Sequence, residues 1–263
     1  MNTVISKDGT SIAFDKTGEG PALVLVDGAF CYRTYGVTPN LVPLLSDHFT
    51  VYAYDRRGRG DSGDTKPYDV LKEIEDLNSI IDATKETPFI CGFSSGASLV
   101  MQAIADGSLA KRIALFEPPF VAKGKNDGPS GEEAIAELEK LISCGERTNA
   151  VKYFMTKVMG MPSIFVWLFK TFAGKMFKNN ERVAHTLAYD ITILETYKEP
   201  KVPGSKITVP ALVISGDKSP VKLIDAAKRT AQSIPDAELL LLKGQNHNVS
   251  MKALAPVLIN FFK

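Results

Sequence analysis

The sequence contains few cysteines, no dominant sign of charge and no long apolar run. Its three cysteines, Cys31, Cys91 and Cys144, are odd in number and widely spaced, which argues against both a disulfide framework and a metal-ligand cluster. The 31 Lys and Arg residues nearly balance the 30 Asp and Glu residues, so the whole-chain charge gives no reason to expect nucleic acid or a membrane as partner. We therefore expect a small-molecule substrate, and either a monomer or a homodimer.

The N-terminal segment and the most apolar segment both lack the features of membrane insertion. Residues 1–9 have no apolar core of the kind that a secretory signal requires. The stretch from Met161 to Phe172 is interrupted by Pro162, Ser163 and Lys170 and is too short to cross a bilayer. Together with the widely spaced cysteines, these absences predict a cytoplasmic protein.

Short β-rich runs alternate with helix-length segments through the first 120 residues, which predicts a mostly parallel sheet with helices on both faces. The predicted strands are Thr3–Ser6, Ser11–Lys16, Ala22–Val26, Thr50–Tyr54, Pro88–Cys91, Arg112–Phe116, Ala211–Ser215 and Glu238–Lys243. The predicted helices that flank them are Asp69–Thr84, Ser95–Ala105, Lys222–Ile234 and Met251–Phe262. From about Gly124 to Gly204 the strand signals give way to a helical pattern. The simplest organisation is one sheet domain, residues 1–123 and 203–263, with a helical insertion, residues 124–202.

The strongest local motif is the segment Gly92–Gly96, which matches G-x-S-x-G with Ser94 at its centre. It follows an apolar strand and opens a helix, and this context produces a sharp turn that exposes the serine hydroxyl. A glycine-rich turn with a helix-capping serine would show the same letters, but both flanks match the catalytic context. We therefore predict that Ser94, rather than Ser95, is a nucleophile.

A serine nucleophile needs a base, and the sequence offers three histidines. His48 directly precedes a strand, and His185 lies in the helical insertion. His247 lies in a polar loop after the last strand, at the carboxyl edge of the sheet, where ligands of parallel sheets bind. We predict that His247 is the general base.

Together these segments resemble α/β-hydrolases with a helical cap, and the resemblance covers essentially the whole chain. The segments that carry it are Val24–Ala29, Tyr54–Ser62, Gly92–Gly96, Leu115–Pro119 and Val209–Asp217. The resemblance implies an eight-stranded, mostly parallel α/β-hydrolase sheet with the cap inserted between strands 6 and 7. It also implies that the backbone N–H groups of Ala29 and Ser95 form the oxyanion hole.

The acid that should orient the histidine is missing from its usual place. Most of the family carries an aspartate three residues after a glycine beyond the penultimate strand, and here Gly216 places Ser219 in that slot. Asp217 lies two residues too early and fits a role in the turn. Glu117 follows the strand next to the nucleophile strand, and certain members of the fold carry their acid there. We predict Glu117 as the acid, with Asp217 as the alternative.

The pocket is predicted from position alone. Asp27 stands where the family usually has histidine, and we expect it to bond backbone groups of its own loop. Phe30, Cys31 and Tyr32 follow at once and are expected to wall the pocket. The insertion is rich in aromatic residues and methionines, and Trp167 is expected to line an apolar pocket from the cap.

Two functions of different classes follow. The leading hypothesis is a serine hydrolase that cleaves a carboxylic ester, or a related acyl bond, of a small hydrophobic substrate through an acyl-enzyme, with no metal or organic cofactor. Thioesterase, lactonase, amidase, carbon–carbon bond hydrolase and perhydrolase activities stay open, because fold alone does not choose among them. The alternative is a ligand-binding sensor or low-activity protein on the same scaffold, motivated by Ser219 and Asp27. A dinucleotide-dependent oxidoreductase is disfavoured, because no G-x-G-x-x-G follows the early strands.

Overall fold

One eight-stranded sheet organises the computed structural model, which describes residues 1–119, 128–196 and 204–263. The strands are β1 Asn2–Ile5, β2 Ser11–Thr17, β3 Ala22–Val26, β4 Thr50–Tyr54, β5 Phe89–Phe93, β6 Ile113–Phe116, β7 Ala211–Gly216 and β8 Glu238–Leu242. Their order across the sheet is β1-β2-β4-β3-β5-β6-β7-β8. The strand β2 runs antiparallel to both of its neighbours, and every other neighbouring pair is parallel. The predicted fold class is confirmed.

The central strands are apolar on both faces because helices cover both sides of the sheet. In β3 the side chains of Leu23 and Leu25 enter one buried cluster, while those of Val24 and Val26 enter the cluster on the opposite face. Successive side chains of a strand point to opposite faces, so a strand covered on both sides needs a continuous apolar run. This is the pattern from which the sequence predicted β3.

The helices are α1 Thr38–Leu45, α2 Val70–Thr84, α3 Ser95–Ala105, α4 Gly131–Ser143, α5 Arg147–Tyr153, α6 Ser163–Phe172, α7 Gly174–Arg182, α8 Leu187–Thr196, α9 Val221–Ser233 and α10 Met251–Phe262. None of these helices, in the part of the chain that the structure describes, combines the length and hydropathy needed to cross a bilayer. The predicted bounds of α3 and α10 match the observed ones.

Two local differences from the sequence-based prediction have clear causes. The strand β5 continues two residues beyond its predicted end, because Gly92 and Phe93 pair with Leu115 and Phe116 of β6. The helix α1 was not predicted, since it contains Pro39 and Pro43, and a proline inside a helix removes a backbone hydrogen bond. Burial of Leu41 and Leu45 in the core offsets this cost.

The described part of the predicted insertion, residues 128–196, consists of the helices α4 to α8 with a π-helical turn, Phe154–Val158, and a 3-10 turn, Ala184–Thr186. These helices surround a third buried cluster, which also takes in Phe30 from the loop after β3. The predicted boundaries at 123/124 and 202/203 lie outside the described residues. The division into domains therefore stays a prediction.

Candidate active site

Ser94 lies at the sharp turn between β5 and α3. Its backbone dihedrals are φ 51° and ψ −123°, a conformation that is strained for a residue with a side chain. The two glycines of the motif make this turn possible. A Cβ atom at Gly92 would lie 2.6 Å from Cα of Ala97, and one at Gly96 would lie 2.3 Å from the carbonyl oxygen of Val26. The motif therefore bends the chain so closely that neither position can carry a side chain.

The neighbouring serine is engaged elsewhere. The side chain of Ser95 is buried, and its hydroxyl donates a 2.7 Å hydrogen bond to Oδ1 of Asp190 in α8. Ser94 is partly exposed at the carboxyl edge of the sheet. Of the two adjacent hydroxyls, only that of Ser94 is thus presented to a ligand.

The structure brings Glu117 and His247 together. The Oε2 atom of Glu117 lies 2.6 Å from Nδ1 of His247, and the carboxylate is fully buried while the imidazole is one-third exposed. The elements β5 and β6 place Ser94 beside this pair, since Phe93 pairs with Phe116 and the amide of Ser94 donates to the carbonyl of Phe116 at 2.9 Å. Neighbouring strands are about 4.8 Å apart, so Ser94 and Glu117 start from adjacent positions.

The hydroxyl of Ser94 forms no hydrogen bond with His247 within the described residues. Hydrogen bonds between a nucleophile and its base are often long without substrate and shorten in the substrate complex. The two residues nonetheless share one edge of the sheet, because Glu117 directly follows the strand beside Ser94 and contacts His247 itself.

Glu117 also has a strained backbone, with φ 45°. Five residues other than glycine adopt a positive φ within the described residues, and three of them, Phe30, Ser94 and Glu117, lie just beyond the ends of β3, β5 and β6. Such strain persists only where the surrounding structure holds it, and it is concentrated at functional sites. These three positions therefore mark one edge of the sheet as the candidate site.

Ser219 occupies the position where the family usually has its acid. Here its side chain hydrogen-bonds Glu117 rather than His247. The hydroxyl of Ser219 donates to Oε1 of Glu117, and the same oxygen accepts from the amide of Gly216 at 2.8 Å and from the hydroxyl of Ser215 at 2.9 Å. The end of β7 thus provides three donors to a carboxylate that extends from β6. The alternative acid, Asp217, is exposed and accepts from the amide of Gly244 at 2.7 Å, as expected for a residue that shapes a turn.

This environment keeps Glu117 ionised. Burial alone would raise the pKa of Glu117, but hydrogen bonds from His247, Ser219 and the amide of Gly216 outweigh it and hold the pKa below its ordinary value. A buried carboxylate that accepts several hydrogen bonds favours its charged form. It can therefore fix the tautomer of His247 and stabilise the imidazolium that forms when the histidine takes a proton.

The predicted oxyanion donors also lie beside Ser94. Ser95 is the first residue of α3, and the first amides of a helix have no partner within the helix. Neither the amide of Ser95 nor that of Ala29 donates a hydrogen bond within the described residues. The loop that carries Ala29 approaches closely, since a Cβ at Gly28 would lie 3.0 Å from Cβ of Ser94. Both amides are thus available near the hydroxyl.

A buried network of ion pairs supports the loop that carries Gly28 and Ala29. The sequence analysis did not identify this network. Arg59 donates to both carboxylate oxygens of Asp190, at 2.9 and 2.7 Å, and to the carbonyl of Gly28 at 2.5 Å. Arg56 donates to Asp190 at 2.9 Å and to Glu73 at 2.5 Å. All four charged side chains are at most 1% exposed. The one feature of the sequence that could have indicated the network is the group of three arginines within Arg56–Arg59, just after a strand.

Asp190 connects this network to the helices of the insertion. Burial would raise the pKa of Asp190, but the charges of Arg59 and Arg56 and the hydrogen bond from Ser95 lower it below its ordinary value. One carboxylate from α8 thus holds both Ser95 and, through Arg59, the loop before Ala29. The packing of the insertion and the geometry of the predicted oxyanion donors are therefore coupled.

Asp27 is buried and incompletely paired. Its Oδ2 accepts a 2.7 Å hydrogen bond from the hydroxyl of Thr38, and its Oδ1 has no partner within the described residues. The expectation that Asp27 bonds backbone groups of its own loop is wrong, because α1 presents the Thr38 side chain instead. Burial raises the pKa of Asp27 to about 6, and the Thr38 hydrogen bond and the charges of Arg59 and Arg56 only partly offset this effect.

The predicted pocket residues differ in their surroundings. Phe30 is buried and packs edge-to-face against Phe154, with ring centroids 5.4 Å apart. Tyr32 packs against Tyr35 of its own loop. Burial raises the pKa of the Cys31 thiol to about 12, so Cys31 does not have the chemistry of a second nucleophile. Trp167 is 58% exposed on α6, and its role in a pocket stays a prediction.

Other candidate sites are less developed. Within residues 1–119, 128–196 and 204–263, no three histidine, cysteine or acidic side chains come together in a way that could hold a metal ion. An open groove of about 450 Å³ between α2, α3 and α8 is lined in part by Tyr68, Gln102 and Thr196. It contains none of the predicted site residues.

The strand order, the strained serine at the β5–α3 turn and the carboxylate–histidine pair at the same edge define an α/β-hydrolase fold. A family model described as the alpha/beta hydrolase family matches residues 23–257, and the chain belongs to that family. It is similar to a solved α/β-hydrolase from Sphaerobacter thermophilus, with 42% identity, a TM-score of 0.91 and full coverage of both chains.

Two curated relatives show how far activities diverge at lower similarity. The chain is 23% identical to a non-heme chloroperoxidase from Kitasatospora aureofaciens, over 95% of this chain and 94% of the relative. It is 24% identical to a proline iminopeptidase from Pestalotiopsis fici, over 79% of this chain and 78% of the relative. Membership of the family supports hydrolase activity, and it does not identify the bond that is cleaved.

Proposed function

We propose that the protein is a serine hydrolase that cleaves a carboxylic ester of a small hydrophobic substrate through an acyl-enzyme. The observation that carries the proposal is the 2.6 Å contact between buried Glu117 and His247, at the sheet edge where the strained turn presents Ser94. A serine hydroxyl becomes nucleophilic when a histidine oriented by a carboxylate takes its proton. In this proposal Ser94, His247 and Glu117 supply these three roles.

The reaction follows from the roles of these groups. The Oγ atom of Ser94 attacks the ester carbonyl carbon while Nε2 of His247 takes the hydroxyl proton. The amides of Ala29 and Ser95 donate to the oxyanion of the tetrahedral intermediate. Collapse of the intermediate breaks the bond to the alcohol oxygen, and His247 returns its proton to that oxygen. Water then attacks the acyl-enzyme with the same proton transfers and releases the carboxylic acid.

Apolar side chains near this edge favour a hydrophobic substrate. Phe30 and Tyr32 lie in or against the buried cluster that the helices of residues 128–196 form. Ala29 also packs against this cluster. Apolar pockets with few polar groups bind small hydrophobic molecules. The two curated relatives are named for peroxidase and peptidase activities. The acyl group and the leaving group of the substrate are therefore the parts that the proposal does not specify.

Two measurements test the proposal together. A fluorophosphonate probe should label Ser94, as located by peptide mass spectrometry, and the protein should hydrolyse short-chain p-nitrophenyl esters. Ser94→Ala should abolish labelling and lower turnover by roughly 10⁴-fold or more. Ser79→Ala is a matched control, because the Ser79 hydroxyl donates to the Glu75 carbonyl of its own helix, and it should retain both labelling and turnover.

The alternative function is a ligand-binding protein with little turnover. Its main motivation is the serine in the acid slot, and that argument weakens because Ser219 donates to Glu117 rather than leaving His247 without a carboxylate. Absence of both labelling and hydrolysis in the unmodified protein would favour the binder and overturn the proposal.

A further inference from the structure

The helix α6 exposes an apolar face that nothing in the described residues covers. Ile164, Leu168 and Phe172 are spaced four residues apart and so form one row along the helix. Ile164 is 56% exposed and Phe172 is 81% exposed. Val166 is the only buried residue of this helix. An apolar helix therefore lies on the surface with most of its side chains in water.

Neighbouring side chains extend this face. We call the set the α6 face, and its members are Met159, Ile164, Phe165, Trp167, Leu168, Phe172 and Met176. All except Leu168 are at least 48% exposed. Single exposed apolar residues are common, but several large ones on one helix and next to its two ends mark an interaction site. The chemistry of the surrounding residues then indicates the partner.

The segment that contains α6 carries an excess of positive charge between two acidic residues, Glu146 and Glu181. Residues 147–180 contain six basic residues, Arg147, Lys152, Lys157, Lys170, Lys175 and Lys178, and no Asp or Glu. All six are exposed, and within the described residues none of the five lysines forms a salt bridge. The balanced charge of the whole chain conceals this local excess of positive charge.

We propose that the α6 face docks the protein on the surface of an anionic lipid bilayer. Helices that lie in the plane of a membrane interface combine bulky apolar residues on one side with lysines beside them, and tryptophan and phenylalanine favour the headgroup region. A ten-residue helix is about 15 Å long, which suits the interface and not a crossing. The exposed side chains of Lys170 on α6 and Lys175 on α7 attract anionic headgroups.

A second copy of the chain fits this face less well. In a two-fold dimer the same patch meets itself, so the lysines of one copy would approach those of the other. The two acidic residues that border this segment, Glu181 and Glu146, already accept hydrogen bonds from Thr148 and Asn149. An anionic lipid surface provides both the apolar layer and the opposite charge. The proposal is independent of the hydrolase activity and revises the expectation, drawn from total charge, that no membrane partner exists.

Tryptophan fluorescence can report vesicle binding without an added label. Trp167 is the only tryptophan in the sequence and is 58% exposed on the α6 face. Its fluorescence should shift to shorter wavelength when vesicles of phosphatidylcholine with phosphatidylglycerol are added, and much less with vesicles of phosphatidylcholine alone. The shift should diminish with added salt, because salt screens attraction between exposed charges. Using Ser94→Ala protein prevents any hydrolysis of the lipids.

Variants separate the apolar and electrostatic contributions. Phe172→Ser should weaken vesicle binding about tenfold or more, since it removes a large apolar side chain from the contact. The pair Lys170→Gln and Lys175→Gln should weaken binding to anionic vesicles and leave the weak binding to neutral vesicles unchanged. Leu109→Ser is the matched control. Leu109 is 64% exposed but precedes β6 at the opposite edge of the sheet, so its loss should change nothing.

Three outcomes would overturn the proposal. One is no fluorescence shift and no co-sedimentation with either kind of vesicle. Another is equal binding to neutral and anionic vesicles, which would remove the role of the lysines. The third is a fluorescence shift that appears on raising the protein concentration without vesicles, accompanied by the mass of a dimer in sedimentation equilibrium, which would assign the α6 face to a second copy.

Discussion

Ser219 donates its hydroxyl hydrogen to Oε1 of Glu117 across the gap between β7 and β6. The position after β7 that carries the acid in most of the family thus carries a hydrogen-bond donor here, and the carboxylate extends from the neighbouring strand. Because β6 and β7 are paired through Phe116 and Ile214, the two positions lie side by side. The carboxylate reaches nearly the same place from a different strand.

The first prediction ranks the two carboxylates. Glu117→Gln should lower turnover by about 10³- to 10⁴-fold, because a neutral amide cannot stabilise the imidazolium of His247. Asp217→Asn should stay near the unmodified rate, since Asp217 is exposed and bonds the amide of Gly244. Initial rates with p-nitrophenyl acetate measure both. A larger loss in Asp217→Asn than in Glu117→Gln would contradict the assignment.

The second prediction moves the acid back to the position after β7. Ser219→Asp alone should lower stability, because it places a second carboxylate against buried Glu117 and like charges disfavour ionisation. In combination with Glu117→Gln, the same substitution should recover turnover by about tenfold or more over Glu117→Gln alone. Ser219→Asn in the same background is the control, since it lacks the charge. Equal rates in the two double variants would show that the carboxylate cannot work from β7.

The third prediction concerns the pH dependence of stability. The pKa of Asp27 is raised from 3.8 to about 6 in the folded state, so the folded state holds this proton more tightly than the unfolded state does. The resulting stabilisation is fully present below pH 3.8 and is lost as the pH rises through about 6. Asp27→Asn cannot titrate, so its free energy of unfolding relative to the unmodified protein should increase by roughly 3 kcal/mol across this range. Urea unfolding at a series of pH values measures the difference. A difference that stays constant with pH would refute the prediction.

The fourth prediction concerns the buried network around Asp190. Asp190→Asn should lower the free energy of unfolding by about 3–5 kcal/mol, because it leaves the buried charge of Arg59 without its carboxylate partner and removes one of the two partners of Arg56. Asp225→Asn, in an exposed ion pair with Lys228, should cost less than about 1 kcal/mol. Urea unfolding of both variants makes the comparison. Equal losses would mean that burial of the network contributes nothing.

The same variant should also affect catalysis. Asp190 holds Ser95 directly and the carbonyl of Gly28 through Arg59, so its loss should loosen the two predicted oxyanion donors. We expect a lower kcat with little change in KM, since these donors act mainly on the transition state. The measurement is steady-state kinetics at a temperature where the variant is fully folded. A change confined to KM would place Asp190 outside this role.

Features that depend on local pattern could be predicted from the order of the residues alone. Continuous apolar runs predicted strands covered on both faces, and β3 shows why, because its alternating side chains enter two cores. The segment Gly92–Gly96 predicted the turn at Ser94, since only glycine fits where the backbone passes so close to Ala97 and Val26. These features are set by steric constraints within a few residues or by a repeating period. A reader of the sequence can recognise both.

Features that depend on residues far apart in the chain became visible only in the folded structure. The sequence favoured Glu117 over Asp217 as the acid but could not show that either reaches His247, and the pairing of β6 with β7 brings Glu117 against that histidine. The network from Arg59 to Asp190 joins positions 131 residues apart, which no local pattern records. The excess of positive charge in the segment around α6 does not appear in the net charge of the whole chain, which is nearly balanced. Each of these depends on which surfaces meet in space, and that is settled by packing rather than by order along the chain.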